Sequence, residues 1–277
     1  MKLPAETRMG AVHLTVADLD RSLDYYERAI GLRVHKREDG EARLGAGGED
    51  LLVLREQAGA RPADGYSGLF HFALLVPSRP DLARFLAHVA RDRVQLTGLS
   101  DHAVSEAIYL RDPDHHGIEV YADRPREQWE GQVWERMTTL PLDTDDLLAA
   151  ADVDGSFDGL ATGTTMGHVH LCVSDVHDAV GFYRDLLGLD LVAELREQAA
   201  FLSAGGYHHH VGANTWQSRG APFAPDDRAR LERFTVVVPG EGTLDDLEAL
   251  PGARRDETGV ELSDPAGNPM LVTAQPG

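Results

Sequence analysis

Residues 9–16, MGAVHLTV, form an alternating apolar run, which predicts a strand. Behind it, Leu23, Tyr26 and Ile30 recur at helical spacing. Asp18 is placed to start that helix and Gly31 to end it as a left-handed cap. Short strands are expected near 41–45 and 51–55. The same pattern returns 157 positions later, where Met9 answers to Met166. In residues 166–189, MGHVHLCVSDVHDAVGFYRDLLGL, the Met, Gly, Val, His, Leu, Val, Asp, Tyr and closing Gly-Leu of 9–32 coincide. Asp175 starts this second helix, Val180, Tyr183 and Leu187 form its apolar stripe, and Gly188 ends it. Short strands near 199–203 and 208–214 complete the copy.

A second, fainter repeat follows each of these copies. FHFALLVP (70–77) is similar to RFTVVVP (233–239), and LRDPDHHGIEVY (110–121) to LSDPAGNPMLVT (262–273). The chain therefore divides into four βαβββ modules, near 9–55, 69–122, 166–216 and 231–274, an α+β architecture. By sequence order, 1–123 would form a first domain (modules one and two) and 166–277 a second (modules three and four). Residues 124–165 read as a linker, packed down by Trp129 and Trp134.

Composition narrows the function. The chain has 277 residues, 42% hydrophobic and 26% charged, which is the profile of a soluble globular protein. A formal net charge of -20 repels DNA phosphates and anionic lipid, so neither nucleic acid nor a membrane is an expected partner. One cysteine, Cys172, excludes a disulfide framework and reads as a core residue. No basic segment followed by an apolar run marks a secretory signal, and no apolar run is long enough to span a bilayer, so a cytoplasmic location is expected.

The paired modules, with VADLDRSLDYYERAIGL and RDPDHHGIEVY, resemble the vicinal oxygen chelate superfamily. DHAVSEAIYLRDPDHHGIEVYADRP together with SAGGYHHHVGANTW more specifically resembles the two-domain extradiol ring-cleavage dioxygenases of the catechol 2,3-dioxygenase type. That resemblance implies two half-closed mixed β-sheets, each built from two modules. It also implies two histidines and a glutamate on one face of iron(II), or of manganese(II), with the opposite face open to a diol and dioxygen.

In such a set one histidine lies seven residues before the Asp that starts the helix. Module three has His168 there; module one has Ala11. The second histidine opens the first strand of the partner module: His71 in module two, Arg233 in module four. The glutamate position is Glu119 in module two and Leu271 in module four. Modules two and three therefore hold one complete set, and modules one and four hold none. This predicts that module two packs with module three, and module one with module four. Pairing of one with two would instead call on His13, and His170 is the matching ambiguity in module three.

Further candidates follow from the resemblance. His102 and Tyr109 match a histidine near the substrate oxygen and a tyrosine behind the ligands. Related enzymes carry an acid–base histidine near the position of Ser203; among His208, His209 and His210 at least one is expected to line the pocket instead. With the tract opening a strand, His208 and His210 would face one way and His209 the other. Asn214 and Trp216 join the candidate lining. His115 and His116 read as solvated turn residues, and His35, His88 and His177 as isolated. The expected reaction is extradiol cleavage of a catechol-like ring, in a chain that could form homo-oligomers. A glyoxalase I-like isomerase or lyase would need a second glutamate where module three has histidines and glycine. A non-catalytic, antibiotic-binding member would need no ligand triad.

Overall fold

A computed structural model describes residues 2–275. Two sheets carry the fold. The first has eight strands, in the order Arg254–Arg255, Val260–Ser263, Pro269–Ala274, Leu231–Val238, Arg8–Val16, Asp50–Glu56, Glu41–Gly45 and Arg33–Glu38. These strands belong to modules four and one. The second has nine, in the order Leu140–Pro141, Leu96–Asp101, Ser105–Arg111, Gly117–Asp123, Gly68–Leu75, Thr165–Cys172, Val211–Asn214, Ala199–Ser203 and Asp190–Leu195. These belong to modules two and three, apart from the short strand at 140–141. The crossed pairing expected from the ligand positions is the observed one.

At each seam the first strands of two modules run antiparallel, Arg8–Val16 against Leu231–Val238 and Gly68–Leu75 against Thr165–Cys172. Both seams carry register shifts, and these local kinks add to the twist that curls each sheet. The seams put His13 opposite Arg233 in one sheet and His170 opposite His71 in the other.

The helices start where the acidic residues predict. The Asp18 carboxylate accepts from the Arg21 amide at 2.9 Å, and Asp175 from the Asp178 amide at 3.0 Å. Gly31 and Gly188 sit at φ 86° and 79°, the left-handed region that costs glycine least. What the 3.6-residue spacing does not foretell is that the second half of each helix widens into a π-helix, Tyr26–Ile30 and Gly181–Leu186. Tyr26 and Tyr183 lie in these wide turns, fully buried. Their hydroxyls donate to Asp112 and Asp264, in the turns before each last strand of modules two and four.

The segment 124–165 is tied down along its length. Trp129 is buried and its indole N–H donates to the Arg124 carbonyl, but Trp134 is 58% exposed and does not pack the segment down as expected. The strand Leu140–Pro141 extends the second sheet, and Leu147 is fully buried in the short helix Thr144–Leu148. Among the described residues no helix is long and apolar enough to cross a membrane.

Candidate metal centre

Three strands of the second sheet bring together residues far apart in the chain. Gly68–Leu75 supplies His71, Gly117–Asp123 supplies Glu119, and Thr165–Cys172 supplies His168. Glu119 Oε2 lies 3.0 Å from His71 Nε2 and 3.1 Å from His168 Nε2, and all three residues are buried. Two donors that meet a small cation at about 2.1 Å and a right angle lie about 3.0 Å apart. His71 Nε2 is buried and makes no well-directed hydrogen bond among the described residues, its 3.0 Å contact with Glu119 included, an arrangement that is costly unless a cation completes it. The donor set, its spacing and this bare nitrogen fit a divalent metal held by two neutral imidazoles and one carboxylate.

The electrostatics suit the same purpose. Burial penalises the charge on Glu119, but the imidazoles of His168 and His71 outweigh it and hold the carboxyl well below the usual range. Burial likewise keeps His168 neutral, lowering its pKa to about 4 against the pull of Glu119. An ionised carboxylate and a free imidazole are the protonation states that metal ligation requires.

Around the triad the sheet places the other candidates. His102 Nδ1 is 2.7 Å from the Thr138 carbonyl, so that nitrogen carries the proton, and Nε2 accepts from the Tyr109 hydroxyl at 2.8 Å. Tyr109 is the cross-strand neighbour of Glu119, and burial, then the Glu119 charge, pushes its phenol well above the usual range. His170 packs its ring 5.0 Å from His71, beside Phe70, Phe201 and Trp216, with Nε2 bare. His13 belongs to the other sheet and does not join the set.

The histidine tract departs from the expected strand. The strand starts only at Val211, so His208, His209 and His210 lie in the preceding turn and simple alternation does not apply. All three are buried. His208 Nε2 is 2.9 Å from Asp123 Oδ1, and its Nδ1 is 2.8 Å from His209 Nδ1. The His209 ring lies 4.0 Å from that of His168, whereas His210 turns away and accepts from the Ala204 amide. Asn214 is fully buried and Trp216 is 47% exposed.

The turn at 112–117 also needs a correction. His115 is exposed, at φ 71°, and pairs with Asp64, as a turn residue would. His116, expected to be solvated, is buried, with Nε2 2.9 Å from the Thr15 carbonyl of module one. His88 is not isolated either: it is buried, stacked on Phe157, with Nε2 2.9 Å from the Arg28 carbonyl. Both are explained by contacts between segments remote in sequence. Asp123 and Tyr207 were missed altogether. The Tyr207 hydroxyl donates to Asp123 and meets that of Tyr121 at 2.7 Å. Two-residue alternation along Glu119, Tyr121 and Asp123 was the signal that placed Asp123 on the ligand face.

The chain is similar to known proteins along most of its length. The chain is 43% identical over 248 residues to catechol-2,3-dioxygenase of Bacillus subtilis (strain 168), covering 87% of this chain and 86% of that protein. Among solved structures, an inferred dioxygenase from Bacillus subtilis subsp. subtilis str. 168 matches with a TM-score of 0.66 at 13% identity, covering 100% of this chain and 87% of that one. Glyoxalase I from Zea mays matches with a TM-score of 0.58 at 15% identity, covering 97% and 92%. At such identities these two speak for the fold alone. The model of the Glyoxalase/Bleomycin resistance protein/Dioxygenase superfamily matches residues 8–120 and 165–249, and the chain belongs to that superfamily.

Proposed function

We propose that this protein is a metal-dependent extradiol dioxygenase that opens a catechol-like ring with dioxygen, using His71, Glu119 and His168 to hold iron(II). The observation that carries the reading is the meeting of one carboxylate oxygen with two imidazole nitrogens at 3.0 and 3.1 Å in a buried site. The relative named catechol-2,3-dioxygenase supports the choice of reaction. A bound iron(II) would offer adjacent binding positions to the two diol oxygens and to dioxygen and pass electrons between them.

The chain's own residues do the rest. Three ligands on one side leave the other side to the substrates. Phe70, His170 and Trp216 form an aromatic wall beside the ligands, with ring centroids 5.3 to 5.5 Å apart, a surface suited to a flat ring. The His102–Tyr109 pair holds one proton across 2.8 Å. His102 takes the proton that the diol loses on binding and returns it to the oxygen atom freed as the O–O bond breaks, an atom that ring opening then puts back into the product. His209, packed on His168 and joined through His208 to Asp123, keeps the opposite flank of the ligands in place. Both atoms of dioxygen end in the product, as the carbon–carbon bond beside one hydroxyl breaks and a muconic semialdehyde forms.

The domain division at 1–123 and 166–277, a cytoplasmic site of action and assembly into homo-oligomers remain parts of this proposal. The test is anaerobic loading with iron(II), then catechol and air, following the yellow ring-opened product. A product that forms with the parent chain and not with Glu119→Ala supports the reading. Turnover of a methylglyoxal–thiol adduct in place of catechol would refute it in favour of an isomerase.

A further inference from the structure

The metal-free sheet has its own cup, and its contents differ from those of the metal centre in one consistent direction. Matching the repeats, Arg233 stands where His71 does, His13 where His170 does, Glu261 where Tyr109 does and Leu271 where Glu119 does. The cup is open, with a volume of ≈ 560 Å³, the size of a small-molecule site. Four arginines line it, Arg55, Arg230, Arg233 and Arg254, against two glutamates, Glu232 and Glu261. A guanidinium stays charged at any pH that the fold survives.

Arg230 is held by Asp226, but the carboxylates present do not satisfy Arg233 and Arg254. Glu261 is shared: Arg233 Nη1 donates to it at 3.3 Å and Arg254 Nη2 at 3.3 Å. Those are the only side-chain hydrogen bonds of either guanidinium among the described residues, so most of their five N–H donors are free to turn to the cup. Arg55 reaches Glu41 at 3.0 Å and Glu232 at 3.5 Å from its two terminal nitrogens. The arginines are felt nearby: burial first, and then Arg233, Arg43 and Arg55 against Glu41, hold the His13 pKa down to about 4. In a chain of net charge -20, a recess with free guanidinium donors offers an anion one favourable spot on an otherwise repelling surface.

We propose that this cup is a second ligand site, which binds a small oxyanion, a carboxylate or a phosphate, through Arg233, Arg254 and Arg55. A planar oxyanion can take paired N–H bonds from one guanidinium, and two guanidiniums that share a carboxylate keep free donors for it. The site is separate from the metal centre, because it lies on the other sheet, and it uses none of the metal-binding side chains.

The test uses the full-length, metal-loaded protein and calorimetric titration with inorganic phosphate and, separately, with succinate, at fixed ionic strength set by sodium chloride. Saturable binding of one or both is expected, and the tighter of the two names the oxyanion class. Arg233→Gln weakens that binding at least tenfold, while iron content and catechol turnover stay at the parent level. Arg254→Gln, at a side chain 82% exposed, cannot disturb the core and weakens binding severalfold. No saturable heat beyond the chloride control for either anion, or binding by both variants equal to the parent's, overturns the proposal.

Discussion

The hydroxyl of Tyr26 donates to Asp112 Oδ2 across 2.9 Å, joining the helix of the first module to the turn that feeds the strand bearing Glu119. The other oxygen of Asp112 accepts the amides of Asp114 and His116, so one carboxylate shapes the whole turn. The repeat preserves the bond as Tyr183 to Asp264 at 3.1 Å. The two copies differ in what else serves the accepting oxygen. Asp264 Oδ2 also accepts from Asn268 Nδ2 at 2.8 Å. Asp112 Oδ2 has Tyr26 alone among the described residues. Tyr26→Phe is expected to cost roughly 1–3 kcal/mol, since a buried acceptor is left bare, and Tyr183→Phe less. Urea unfolding of both variants checks the order.

Glu119 is the anion on which the proposed metal site depends. Glu119→Ala is expected to lower metal retention by at least 10-fold, measured as bound iron after dialysis. His115→Ala, at an exposed turn, leaves retention at the parent level. Loss of iron in the His115 variant with retention in the Glu119 variant would reverse the ligand assignment.

His102 and Tyr109 act as a pair at 2.8 Å. His102→Asn removes the proton acceptor and is expected to lower kcat by roughly 10²-fold or more, with iron content unchanged. Tyr109→Phe leaves the imidazole in place and is expected to lower kcat by roughly 10-fold. Steady-state ring cleavage, with iron content measured on the same samples, separates the two.

Buried neutral histidines make the fold sensitive to acid. Burial lowers the pKa of His210 from 6.5 to about 4, and it acts in the same sense on His13, His168, His170 and His209. The unfolded chain takes up these protons below pH 6.5, and native His13, His168 and His210 hold theirs off until about 4. Their contribution is therefore complete above pH 6.5 and falls as pH drops towards 4, by about 3 kcal/mol for His210 alone. Thermal unfolding of the metal-free protein is expected to shift steeply downward across that window. His210→Gln should flatten the dependence.

Gly117 closes the turn that carries His115 and His116. A Cβ there would stand 2.0 Å from the Phe70 carbonyl oxygen, next to His71. That neighbour is backbone and cannot swing aside. Gly117→Ala is expected to force the two strands apart, lowering both the unfolding temperature and iron retention.

Alternation, helical spacing and the 157-residue repeat determined the four modules and their capped helices, and the resemblance to the vicinal oxygen chelate superfamily added three candidate ligand positions. Each of these is a relation between near neighbours in sequence, or between copies of one pattern. Even the crossed pairing was implied by local facts, because Ala11, Arg233 and Leu271 leave modules one and four without ligands. Only the tertiary structure decided what depends on contact between remote segments. It widened the helices into π turns, as Tyr26 and Tyr183 reached buried acids outside their own modules. It buried His116 and His88 against carbonyls of the first module, and it turned His208 to Asp123. A histidine reads the same in sequence whether it meets water or a carbonyl 101 residues away, and burial, which sets its charge and its work, is a property of the packed chain.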